Sequence, residues 1–202
     1  MSPGHVGKQH VQMWRKLAMR RRILPLVGPG DAYVPFCGRG DIAVELYRDR
    51  LIYAADINAS HVAAMRERVA CRALVVADCG AVFPFAGVGA GPWSVADFDA
   101  WANPYVALRA FWTSEAGAVA RRGLAVFGTD GRIRGFKAGR TADWPGQEPM
   151  RTLGPGETGL PLRAYWTRFV RPWLAALFHP RRIVSETKYR RGNMLYWGVL
   201  VR

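Results

Sequence analysis

The chain has 202 residues, half of them hydrophobic, so it can bury one substantial core, and its length predicts one domain rather than two. Only four of its 29 cationic side chains are Lys (Lys8, Lys16, Lys137, Lys188), and against 15 acids they leave a formal charge of +14. An excess of that size favours a polyanion and points to nucleic acid, with membrane headgroups or an acidic protein as the lesser readings, although a genome rich in G and C would also raise Arg. Cys37, Cys71 and Cys79 are an odd number with no C-x-x-C pair, which predicts a reduced, cytoplasmic setting. No apolar run approaches about twenty residues and the N-terminus lacks the apolar core of a signal peptide, so neither a membrane span nor a membrane partner is expected. The four His are scattered without ligand spacing, and no metal is proposed.

In chain order, residues 8–24 set Val11, Met13, Trp14, Leu17, Ala18 and Ile23 among basic residues at helical spacing. This predicts a basic leading helix, either a solvated face or a cover for a cofactor or nucleic acid. From Asp31 onward, apolar runs alternate with helical stretches. Strands are predicted at 32–35, 51–55, 73–77, 94–98 and 124–128, and helices at 41–50, 60–70 and 104–121. That order predicts an α/β fold, a Rossmann-like doubly wound and mostly parallel sheet with ligands beyond the carboxyl ends of its strands. Gly, Pro and Thr at 135–161 predict a long loop. Residues 162–178 resume helical spacing, and 182–188 with 193–201 predict a closing antiparallel pair.

The first strand ends in Val34-Pro35-Phe36-Cys37-Gly38-Arg39-Gly40. Glycines there let the chain turn sharply and let a ligand lie against the backbone. Taken alone, they fit several nucleotide cofactors. Asp56, ending the second strand and followed by Ile57, adds an acid that can accept from both hydroxyls of a ribose. Asp78-Cys79 ends the third strand the same way, with Asp78 placed to meet an adenine amino group or to cap a helix. A dinucleotide fingerprint would want a third Gly where Ala43 stands.

The Pro35–Gly40 loop resembles the Asp-Pro-Phe-x-Gly-x-Gly loop of amino-methyltransferases that act on nucleic acid bases, with Val34 in place of the leading Asp. Asp97-Phe98-Asp99-Ala100-Trp101-Ala102-Asn103-Pro104 is similar to the Asp-x-Asp-Pro-Phe-Gly-Ser-Pro segment of the tRNA guanine-N2 dimethyltransferase family. Asp97, Asp99 and Pro104 match, Trp101 stands for the Phe, and Ala100, Ala102 and Asn103 depart. Gly123–Asp130 resembles that family's Gly-Leu-Leu-x-Val-Thr-x-Thr-Asp, and Asn103-Pro104-Tyr105 is similar to the Asn-Pro-Pro-Tyr box of DNA and RNA amino-methyltransferases with one Pro missing. The likeness spans roughly residues 31–130 and omits the C-terminal third.

What the resemblance implies is a class I methyltransferase that uses S-adenosyl-L-methionine on an exocyclic amine of a nucleic acid base, RNA in preference to DNA. Pro35, Phe36, Cys37, Gly38, Gly40, Asp56, Ile57, Asp78, Cys79 and Asp97 would then hold the cofactor. An exocyclic amine is a poor nucleophile because its lone pair is delocalised, so such sites need acceptors for its N–H groups and an aromatic face for the ring. Asp99, Asp97 and Asn103 are the polar candidates, and Trp101 and Tyr105 the stacking ones, with core packing as the alternative for both aromatics. DNA, a small molecule, or a binding subunit without turnover remain the competing readings.

Overall fold

The computed structural model describes residues 4–80, 82–88, 91–100, 103–131, 165–191 and 194–202. Seven strands form one sheet in the order β3-β2-β1-β4-β5-β7-β6. They are β1 (Asp31–Pro35), β2 (Ile52–Asp56), β3 (Ala73–Val76), β4 (Trp93–Phe98), β5 (Leu124–Asp130), β6 (Ile183–Arg191) and β7 (Met194–Val201). The first five run parallel, and β7 pairs antiparallel with both β5 and β6. The expected doubly wound sheet with an antiparallel closing pair is the observed one.

Burial follows strand position. β1, β2, β4 and β5 are buried along their whole length, as strands covered on both faces must be, whereas the edge strand β6 alternates half-buried and exposed. Alternate residues feed two cores. Tyr33, Tyr53, Phe98 and Val126 pack against α4 (Tyr105–Glu115) and α5 (Arg171–Phe178), which continues a π-helical turn at Trp166–Val170. Ala32, Val34, Ala54 and Phe127 pack on the other face, with Met19 and Ile23 of α1 (Gly4–Ile23), Ile42 of α2 (Asp41–Leu46) and Met65 of α3 (Ala59–Arg66).

The three helices predicted between the parallel strands are all shorter than their sequence pattern, α3 ending at Arg66 rather than at residue 70. α2 stops at Leu46 because Tyr47 leaves helical geometry and sends its hydroxyl, fully buried, to Asp97. α4 ends at Glu115 and tightens into a 3₁₀ turn at Ala116–Ala118, well short of Arg121. β5, in contrast, runs two residues past the predicted Gly128, so Thr129 and Asp130 arrive at the carboxyl edge still within the sheet. No helix among the described residues is long and apolar enough to cross a membrane. The predicted 135–161 loop lies outside the described residues.

Candidate functional site

The glycine loop bends the chain from β1 into α2 through three residues at positive φ: Phe36 (56°), Gly38 (53°) and Gly40 (80°). Gly40 caps α2, and a Cβ there would come within 3.0 Å of Met65 Cγ. At Gly38 a Cβ would meet nothing within 4 Å, so this glycine faces open space. Its N–H donates to Asp56 Oδ2 at 2.9 Å, and the Asn58 N–H donates to Asp56 Oδ1 at 2.9 Å. Loop and acid, eighteen residues apart, are thereby locked together. Each carboxylate oxygen accepts more than one hydrogen bond, so Asp56 keeps acceptor capacity for a diol. His61 Nδ1 lies 3.4 Å from Asp56 Oδ1.

A cavity of about 510 Å³ opens in front of this pair, within the size range of small-ligand sites. Phe36, Gly38, Asp56 and Ile57 line one end, and Asp99, Ala100, Thr129 and Tyr196 the other. A second hollow of about 220 Å³ joins it at Lys16, Phe36, Gly38 and Asp99, bordered also by Cys37 and Arg39.

At the far end, Asp99 accepts from Lys16 Nζ on both oxygens, at 2.7 and 2.8 Å, and from the Thr129 hydroxyl. Burial opposes its ionisation, but the charges of Lys16 and Arg20 and the two hydrogen bonds outweigh it, and the carboxyl sits below its ordinary range. Asp99 is therefore a carboxylate at neutral pH, an acceptor rather than an acid. The thiol of Cys37 is pushed up to about 12, by burial first and by the Asp56 charge next, so it stays protonated and non-nucleophilic.

The remaining sequence candidates separate. Asp97 borders the small hollow, yet its side chain is 1% exposed and its oxygens are taken by Arg20 Nε (2.7 Å), Arg20 Nη2 (2.6 Å) and the Tyr47 hydroxyl (2.6 Å). It is an anchor under the site, not a ligand. Of the two readings of Tyr105, stacking face or core, the structure has the core one: it is fully buried, its ring packs edge-on to Trp173 and its hydroxyl donates to Asp130 at 2.6 Å. Asn103 accepts from the Tyr105 N–H at 3.1 Å and so serves the start of α4. Asp78 is exposed and accepts from the Gly80 N–H, while Cys79 and Pro35 are buried behind the loop. Trp101 lies outside the described residues. The aromatic residues Tyr165, Trp166 and Trp173 are core, while Arg168 and Arg171 are exposed.

Sequence reading does not single out Lys16, Arg20 or Thr129. A signal existed for the first two. Side chains four apart on a helix rise about 6 Å, and residues two apart on a strand about 6.6 Å, so Lys16 and Arg20 on α1 match Asp99 and Asp97 at the end of β4.

No protein-family model matches the sequence, and no curated protein matches it. Solved structures do match. The fold is that of the Rossmann-like methyltransferases. N-methyltransferase NodS from Bradyrhizobium japonicum WM9 superposes with a TM-score of 0.56 at 9% identity, over 94% of this chain and 96% of its own. Magnesium protoporphyrin IX methyltransferase from Synechocystis PCC 6803, with bound SAH, gives 0.54 at 13% identity, over 96% and 83%. A putative rRNA-methylase from Clostridium thermocellum gives 0.50 at 14%, over 90% and 92%.

Proposed function

We propose that the chain is an S-adenosylmethionine-dependent methyltransferase acting on an exocyclic amino group of a nucleic acid base, RNA in preference to DNA. One observation carries the reading: a ribose acceptor, Asp56 locked to the glycine loop, and an ionised acceptor, Asp99, face a single cavity. The open space over Gly38, where any Cβ would intrude, suits a nucleoside laid against the backbone. Neighbours of the same fold that carry SAH support the same cofactor here. The cofactor supplies a methyl group on a sulfonium. Asp56 orients the ribose, Phe36 and Gly38 shape the floor, and Asp99 accepts an N–H of the target amine and offsets the positive charge that grows on it during transfer.

Calorimetry tests the cofactor half: wild type should bind S-adenosylhomocysteine, and Asp56→Ala should lose most of that affinity. Nucleic acid binding should weaken steeply as salt rises. A shallow salt response would favour a small-molecule amine instead. That second reading rests on one observation, the two carboxylates of Asp56 and Asp99 that line the main cavity, which suit a cationic amine.

A further inference from the structure

We infer that Lys16 is the receptor for the α-carboxylate of the cofactor's amino-acid tail, and that its contact with Asp99 is the resting state of that receptor. The inference rests on the cofactor reading above. With the ribose on Asp56 at the end of β2, the nucleoside has two exits, along the edge toward β3 or across β1 toward β4. The cavity takes the second course, passing Gly38 and Phe36 to reach Lys16 and Asp99. Two strand spacings separate β2 from β4, roughly 10 Å, the reach of an amino-acid tail from its ribose.

A zwitterion entering a half-buried end needs its carboxylate met by a fixed cation, since an unpaired charge there is costly. Lys16 and Arg39 are the Lys and Arg side chains bordering the two hollows among the described residues. Arg39 is exposed, whereas the Lys16 side chain is 17% exposed and held from three directions. Asp99 holds its ammonium at both oxygens, the ring of Tyr196 lies 5.4 Å from it, and one turn further along the helix Arg20 pins α1 to Asp97. An ammonium carries three donors, so it can keep a hydrogen bond to Asp99 while turning another to a carboxylate. Asp99 then shares the Lys16 ammonium with the arriving tail.

The test compares S-adenosylhomocysteine with its decarboxylated analogue, which differs only in the missing carboxylate, by calorimetry on wild type and three variants. Wild type should prefer the carboxylated ligand by about tenfold or more, the scale of one charge-assisted hydrogen bond. K16M should bring the two affinities together by weakening S-adenosylhomocysteine alone, and K16R should restore the preference. R39M should keep it. Thermal unfolding of each variant establishes that it is folded. A preference that survives K16M, or that is erased by R39M instead, overturns the inference and leaves the cofactor reading standing. If wild type binds neither nucleoside, both fall.

Discussion

Two ion pairs join the same helix to the same strand end, yet they sit in opposite environments. Arg20 and Asp97 are 0% and 1% exposed and share a third partner in Tyr47, whereas Lys16 and Asp99 are each 17% exposed and face a cavity. The planar guanidinium matches both oxygens of Asp97 from a fixed fork, and burial of Asp97 leaves nothing for it to do but hold. Lys16 is a compact charge on a flexible stem and can change partners. The deeper pair builds the edge; the shallower pair is available for chemistry.

The largest expected effect comes from breaking the deeper pair. Arg20→Met leaves a buried carboxylate without its counter-charge and should cost about 3–5 kcal/mol, read as a fall in the urea midpoint. A loss under about 1 kcal/mol would show that Asp97 is not the buried anchor described here. Tyr105→Phe removes one of two tyrosine hydroxyls from buried Asp130 and should cost about 1–3 kcal/mol with S-adenosylhomocysteine affinity unchanged. A fall in that affinity would return Tyr105 to the site. Lys16→Met should cost less than Arg20→Met, about 1–2 kcal/mol, because its pair keeps some solvent contact and Asp99 keeps the Thr129 hydroxyl. The smallest effect is in pH dependence. The carboxyl of Asp99 is lower in the fold than when unfolded, so its contribution is present above about pH 4 and is lost as pH falls through the folded value. Asp99→Asn should flatten that acid limb, and an unchanged limb would mean the carboxylate gains nothing from Lys16 and Thr129.

The parts of this contrast were unequally visible in the sequence. The run of parallel strands with crossover helices was legible because buried runs such as Ile52–Ala55 and Val95–Phe98 alternate with helical spacing. That Gly38 and Asp56 share one sheet edge was legible too, since strand and turn geometry fix where those residues fall, but the hydrogen bond between them was not. Partners from remote segments were not. Asp97 and Asp99 look equivalent in the sequence, and only the approach of α1, 77 to 83 residues away, makes one a buried anchor and the other a cavity wall. Tyr105 reads as an aromatic beyond a strand end, and nothing local reveals that Asp130 waits beneath it as its acceptor.

The most direct measurement is transfer of labelled methyl from S-adenosylmethionine to total RNA and to DNA by wild type and by Asp99→Ala, with S-adenosylhomocysteine affinity measured in parallel. The expected result is label on an exocyclic base amine, in RNA before DNA, abolished in Asp99→Ala while cofactor affinity persists. Full activity in Asp99→Ala, or no label in either nucleic acid from a wild type that binds the cofactor, would contradict it.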